Sequence, residues 1–288
     1  MSVALATPFG IDGSILHDKF YAHAKWCLAN DCDSVTFFGT TGEGPSLTSD
    51  ERWLAFKRVV ESGISPEHIV VGVIPTTISD AIVETSRALN AGAKAVLLAP
   101  PFYFNGLHED GVYEWFCAVL DGVGTTVRDI ILYNIPSLTQ VPVSIDMISR
   151  LRTKFGSAIR GVKDSSCDWG NTEPLVQAHS DIDILVGDER DLAPAVRLGG
   201  SGAIGGLANL FPAQVRDLVE GRDNTFITEL VDLIVSEPVV CSIKAIIAHE
   251  KSDSDWLDPR LPLLALSQSK QMEFVDKLNI LKLRHNIS

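Results

Sequence analysis

The chain has 288 residues, is 45% apolar and carries a formal charge of −13 with a pI near 4.9. That apolar content supports a sizeable core, as one large α/β barrel or as two smaller domains. The acidic balance argues against nucleic acid or an anionic membrane as partner, because both need a basic face, and it requires any anionic small substrate to be met by backbone N–H groups or a few placed cations.

In chain order, the first predicted strand is VALAT (3–7), inside MSVALATPFGIDG, which lacks a basic n-region and soon reaches turn residues, unlike a signal peptide. A helix is predicted over 17–30, then the strand SVTFF (34–38), which opens into FFGTTGEGPSL. There Gly39, Gly42 and Gly44 flank Thr40 and Thr41. Glycines let a turn expose successive N–H groups, the arrangement that cradles a carboxylate or phosphate oxygen, although an ordinary Gly-rich βα loop has the same wording. A helix over 48–62, the strand HIVVGV (68–73), a helix over 79–91 and the strand AVLLAP (95–100) follow. The next loop, APPFYFNG, carries Phe102, Tyr103 and Phe104. Such clusters more often cap a core or an interface, so the phenylalanines read as packing residues and the phenol of Tyr103 stays open.

Past a helix over 109–121, the fifth strand DIILYN (129–134) runs into ILYNIPSLT, with Tyr133 among its last residues and Pro136 in the turn. A tyrosine there can relay a proton; a buried tyrosine bonded to backbone is the alternative. A helix over 144–155 leads to AIRGV (158–162), which ends on Lys163 in RGVKDSSCDWG. Helices over 170–179 and 189–198 bracket the strand DILVG (183–187), and the eighth strand, GAIGG (202–206), precedes a helix over 211–220. Residues 222–288 read as helical in TFITELVDLIV (225–235), VVCSIKAIIAH (239–249) and QMEFVDKLNILKL (271–283), a C-terminal annex to a barrel of residues 1–221.

Eight βα units with nearly continuous apolar strands suit a parallel sheet buried on both faces, which closes as a (β/α)8 TIM barrel with a C-terminal helical extension. A doubly wound open sheet is the alternative, but no GxGxxG follows the first strand. No apolar run approaches the roughly 18 to 20 residues of a membrane span, and the expected location is the cytoplasm. The five cysteines are scattered and odd in number, which suits reduced thiols, and the seven histidines neither cluster at strand ends nor form HExxH, so no metal is expected.

In such a barrel the active site lies at the C-terminal ends of the strands. Lys94 precedes its strand, and only Lys163 falls at a strand's C-terminal end. Burying an ammonium in an apolar mouth costs several kcal/mol unless it is paired, and its usual outcome is a depressed pKa that makes the amine a nucleophile for carbonyl carbon. The competing structural role is an ion pair with Asp164 or Asp188. A Schiff-base lysine, a tyrosine one strand away and a threonine-rich anion cradle together suit a 2-oxo acid with no external cofactor. A metal-dependent aldolase, a phosphate-binding barrel using LGGSGAIGG and a non-catalytic barrel are the alternatives from other classes.

The motifs GTTGEGPSL, YNIPSLT and GVKDSS, in that order on a (β/α)8 pattern, resemble the dihydrodipicolinate synthase and N-acetylneuraminate lyase family of class I aldolases over roughly residues 3 to 250. The resemblance implies that Lys163 forms the Schiff base, Tyr133 relays protons, and Thr41 with Thr40 and Gly39 holds the pyruvate carboxylate. It further implies that Tyr103 reaches into a neighbouring subunit of a homo-oligomer built as a dimer of dimers. Gly187, Ile204 and Ser165 then line the pocket of a 2-oxo acid that condenses with, or is released from, an aldehyde. Two departures bear on the substrate. Leu138 stands where the synthases usually carry an arginine, and Gly44, Pro45, Ser49 and Arg52 replace the residues of their lysine-feedback pocket. Arg190 stands where sialic acid lyases carry an acid, and it is read as a receptor for an anionic distal end of the substrate, the alternative being a solvated arginine at a helix start. The wording is also similar to that of 2-keto-3-deoxygluconate aldolases. A 2-keto-3-deoxy sugar acid or related 2-oxo acid is therefore the expected substrate, with 4-hydroxy-tetrahydrodipicolinate synthase activity (pyruvate plus aspartate semialdehyde) as the alternative.

Overall fold

A computed structural model describes residues 1–287. Its strands are β1 (Ser2–Ala4), β2 (Ser34–Phe37), β3 (Ile69–Val73), β4 (Ala95–Leu98), β5 (Ile130–Asn134), β6 (Ile159–Asp164), β7 (Asp183–Val186) and β8 (Gly202–Gly205). They close in sequence order into an eight-stranded barrel, and the ladders are parallel where β1 meets β2 and from β3 through β8. The helices are α1 (His17–Ala29), α2 (Ser49–Glu61), α3 (Ile78–Asn90), α4 (Glu109–Val123), α5 (Pro136–Thr139), α6 (Ile145–Phe155), α7 (Trp169–Ala178), α8 (Glu189–Arg197), α9 (Pro212–Val219), α10 (Thr225–Val235), α11 (Val239–Lys251) and α12 (Gln268–His285). The eight predicted βα units are all present. Among the described residues, no helix is long and apolar enough to cross a membrane.

By compactness the chain divides into Met1–Ile64 with Gly205–Ser288, and Ser65–Ile204. In the first unit β1 is shorter than VALAT because its continuation is claimed by other partners. The Leu5 N–H still donates to Thr36 O (2.9 Å), but the Ala6 N–H turns to Asn209 Oδ1 (3.1 Å) and Thr7 O accepts from Lys244 Nζ (2.8 Å). The predicted annex forms α10, α11 and α12, each burying an apolar stripe.

In the second unit β3 to β6 are buried almost throughout, as a parallel sheet covered on both faces requires, and β7 alternates buried with half-buried residues. Helices α7 and α8 start on Asp168 and Asp188, whose carboxylates accept the Gly170 and Arg190 N–H groups and so satisfy a donor of the first turn. The sixth strand runs to Asp164, two residues beyond AIRGV. Lys163 therefore lies within the ladder, paired in register with Tyr133 on β5 and Leu185 on β7.

Candidate active site

Strand alternation decides which residues of β5 and β6 can share a face. On β6, Arg160 reaches Asp129 and Asp183, and Asp164 is bonded to Asn171 and Thr172 at the start of α7, so the even positions face the helix layer. Lys163 then faces the barrel interior, as does its register partner Tyr133. Both are buried, at 5% and 1% exposure. Lys163 Nζ lies 3.2 Å from Tyr133 Oη and 4.3 Å from the centre of its ring. Among the described residues, no carboxylate comes within 4.0 Å of that nitrogen. An amine beside a phenol that can take or return a proton is equipped to attack a carbonyl carbon.

The two acids that could have neutralised Lys163 are otherwise engaged. Asp164 accepts from Asn134 Nδ2 (2.9 Å), Thr172 Oγ1 (2.7 Å) and Ser166 Oγ (3.1 Å). Asp188 is held by Arg190 through Nε (3.0 Å) and Nη2 (2.7 Å). Burial alone would raise the Asp188 carboxyl, but the bonds from Arg190 reverse this and hold it below the usual carboxylate range. Arg190 therefore begins α8 already in a two-point ion pair, at the end of β7. Beside it, burial and then the Asp188 charge push the Cys167 thiol up to about 11. Gly187 packs so closely on Ser165 that a Cβ there would lie 2.0 Å from Ser165 Oγ, so its lack of a side chain fixes the approach of two predicted pocket residues. Ile204 is buried on β8.

The loop after β2 belongs to the other unit and is built tightly. Phe38 and Glu43 bracket it with φ of 59° and 55°, and the Gly44 and Glu43 N–H groups close it onto Gly39 O (3.1 Å) and Thr40 O (3.0 Å). A Cβ on Gly44 would lie 1.8 Å from Phe38 O, which excludes any other residue from this turn. Thr40 and Thr41 stand half-exposed at its tip. Beneath them, buried Glu43 accepts from Lys244 Nζ (2.7 Å) and from the Arg260 N–H (2.7 Å). Sequence reasoning missed Lys244. The available signal was the nearly uniform apolarity of VVCSIKAIIA around it, which marks a helix buried on all sides.

Two predicted residues lie on the surface of the chain. Tyr103 is 76% exposed and makes an edge-to-face pair with Phe104, which is 70% exposed, and Leu138 is 59% exposed on the short helix α5. Phe102 and Phe104 read from the sequence as packing residues of a core or an interface; the exposure of Phe104 corrects the core half of that reading, since the proline-stiffened loop holds it away from the chain's own core. No group of three or more His, Cys, Asp or Glu side chains is arranged to hold a metal among the described residues.

The family model described as the dihydrodipicolinate synthetase family matches residues 1–281. The structure is similar to that of dihydrodipicolinate synthase from Agrobacterium tumefaciens, with a TM-score of 0.96 and 45% identity over 97% of this chain and 98% of that one. An uncharacterized DapA-like lyase of Chloroflexus aurantiacus is 29% identical over 279 residues, covering 93% of this chain and 91% of the relative. The 4-hydroxy-tetrahydrodipicolinate synthase of Nitrosomonas europaea is 32% identical over 287 residues, covering 96% and 95%. With a closed parallel barrel, a buried lysine and tyrosine at the ends of adjacent strands and a family match across nearly its whole length, the chain belongs to the dihydrodipicolinate synthetase family and is a lyase of the class I aldolase type.

Proposed function

We propose that Lys163 forms a Schiff base with pyruvate or a related 2-oxo acid and makes or breaks the adjacent C3–C4 bond, with a 2-keto-3-deoxy sugar acid or similar compound as the cleaved substrate. The observation that carries this reading is the buried Lys163 Nζ, 3.2 Å from Tyr133 Oη with no carboxylate beside it. The neutral amine adds to the C2 carbonyl, and Tyr133 passes a proton to the departing oxygen, which leaves as water. The Tyr133 phenolate takes the proton of the C4 hydroxyl as the iminium draws electrons from the breaking C3–C4 bond, which releases an aldehyde; the enamine left behind regains a proton at C3, and addition of water then frees the 2-oxo acid and the amine. The reverse order joins an aldehyde to pyruvate. No cofactor is required.

Gly39, Thr40 and Thr41 are proposed to hold the substrate carboxylate, with Ser165, Gly187 and Ile204 lining its pocket. Arg190, already paired with Asp188, is the proposed receptor for a distal anion of the substrate. Residues 1–221 carry the chemistry, and residues 222–288 pack on them as an accessory element. The exposed Tyr103 supports a homo-oligomer, a dimer of dimers in which it acts across a subunit boundary, and the enzyme works in the cytoplasm.

The 45% identity to the Agrobacterium tumefaciens protein supports a second reading, condensation of pyruvate with aspartate semialdehyde. Leu138 opposes it by removing the arginine that the resemblance leads one to expect. The first test is treatment with pyruvate and borohydride, followed by mass spectrometry of the peptide bearing Lys163. A reduced adduct on that residue is expected, and its absence from folded protein would falsify the mechanism. Comparing turnover of a 2-keto-3-deoxy sugar acid with that of aspartate semialdehyde then decides between the two substrates.

A further inference from the structure

The carboxylate that directly follows the reactive lysine is buried, yet it touches neither Lys163 nor any other cation within salt-bridge distance among the described residues. Asp164 instead accepts neutral donors on both oxygens. Asn134 Nδ2 (2.9 Å) and the Ser166 N–H (3.2 Å) reach Oδ1. Thr172 Oγ1 (2.7 Å), Ser166 Oγ (3.1 Å) and Asn171 Nδ2 (3.2 Å) reach Oδ2. Burying a charge this way costs more than the apolar packing that usually joins a strand to its covering helix, so its return must lie in defined geometry rather than in stability alone.

What is defined follows from the register. Tyr133 pairs with Lys163 and Asn134 pairs with Asp164. Successive residues of a strand point to opposite faces. The Asn134–Asp164 bond on the helix side therefore ties the same two strand ends whose inner faces present Tyr133 Oη and Lys163 Nζ. The tie extends outward: the Val143 N–H donates to Asn134 Oδ1 (3.0 Å), the Ser165 N–H to Asn134 O (2.8 Å), and the Gly187 N–H to Asp164 O (2.8 Å). The loop after β5, the start of α7 and the end of β7 are all anchored to this pair.

We propose that Asn134 and Asp164 form a positioning pair that sets the separation of Lys163 Nζ from Tyr133 Oη, and so governs how fast the imine forms rather than how tightly the 2-oxo acid is held. The inference rests on the reading of Lys163 as the imine-forming amine. A displacement of about 1 Å at reacting atoms can cost on the order of a hundredfold in rate. An Asp164→Asn side chain has one accepting oxygen for donors that now fill two, and its NH2, in place of the other oxygen, faces the donating amide of either Asn134 or Asn171.

The test measures borohydride-trapped imine formation per folded molecule, with pyruvate titrated at a temperature below unfolding. Asp164→Asn is expected to lower the limiting rate by at least about tenfold while KM changes by less than about threefold, and Thr172→Val, which removes one neutral donor and leaves both strands untouched, by about threefold. Exchanging the two groups in Asn134→Asp/Asp164→Asn restores one acid facing one amide and recovers much of the lost rate. A purely structural carboxylate would lower the melting temperature and leave the limiting rate unchanged; that result, or a loss confined to KM, overturns the proposal. If Asp164→Asn does not fold, Thr172→Val alone decides. Absence of an adduct in the unaltered enzyme would instead overturn the Schiff-base reading and take this inference with it, so the two failures are told apart.

Discussion

Among the described residues two lysines are buried, Lys163 on β6 and Lys244 on α11, and each lies over an aromatic ring, Tyr133 at 4.3 Å and Phe9 at 4.5 Å from its centre. They differ in what else surrounds the nitrogen. Lys244 has the Glu43 carboxylate at 2.7 Å and Thr7 O at 2.8 Å, so it is bonded as an ammonium wants to be. Burial draws Lys244 below the usual ammonium range and raises Glu43 above the usual carboxylate range, while the attraction between them opposes both shifts. Lys163 has a phenol oxygen and no carboxylate. A buried cation given an acid becomes a strut, here fastening the loop after β2 to α11; one given a phenol keeps a proton partner with which it can do chemistry.

The largest expected effect separates the two directly. Lys163→Met should abolish the pyruvate adduct and lower kcat by at least about a thousandfold, as loss of a covalent nucleophile does, while leaving denaturant stability unchanged or slightly raised because no acid is orphaned. Lys244→Met should do the reverse in stability: leaving Glu43 buried without its cation costs about 3–5 kcal/mol. Pairing it with Glu43→Gln should restore part of that loss, the coupling being read from a double-mutant cycle of urea midpoints. If Lys163→Met destabilised the fold more than Lys244→Met, the contrast between strut and nucleophile would be wrong.

Tyr133→Phe sharpens the same contrast at an intermediate size. Removing the phenol oxygen leaves the amine and the ring stacking, so the adduct should still form, but with rates reduced by roughly 10²- to 10⁴-fold, the range for loss of a positioned acid–base group. Loss of the bond to Lys163 should lower stability by about 1 kcal/mol. A Phe variant that turns over normally would leave Lys163 without the proton partner on which its assignment depends.

The contrast also shows what was legible in the residues before the fold was known. The eight apolar runs and their turn residues mark the strands because a parallel sheet covered on both faces writes a local, nearly uniform pattern. Lys163 was visible because it interrupts such a run at its C-terminal end. Asn134 and Asp164 stand beside Tyr133 and Lys163 in the chain, but their pairing depends on the register of β5 and β6, which no local pattern encodes. Glu43 and Lys244 are separated by 201 residues, and only the folded chain brings them together. Helix bounds shifted by a residue or two where caps decide them, as at α7, which starts at Trp169 behind its cap Asp168. The exposure of Phe104 depended on a loop path that proline content constrains without specifying.

The smallest effect extends the comparison to a pair near the surface. Arg260 reaches Glu51 Oε1 (2.5 Å) and Oε2 (3.1 Å), and the Thr48 N–H adds a bond to Oε2 (2.8 Å), with side-chain exposures of 20% for the arginine and 34% for the acid. The bonds from Arg260, opposed by partial burial and helped by those from Thr48, lower the Glu51 carboxyl from 4.5 to about 2. A carboxyl lowered in the folded state binds fewer protons there than in the unfolded chain between these values, so its stabilisation is complete above about 4.5 and disappears as pH falls through about 2. Solvent screening limits that stabilisation to about 1 kcal/mol at neutral pH. Glu51→Gln should therefore be slightly less stable than the unaltered chain at pH 7, the difference closing between pH 4.5 and 2 in urea titrations. Salt at about 1 M, where the Debye length is near 3 Å, should shrink the Glu51→Gln deficit and leave that of Lys244→Met almost untouched. Equal salt sensitivity in the two variants would mean that water reaches the Lys244–Glu43 pair, and the strut would then be a surface ion pair in all but position.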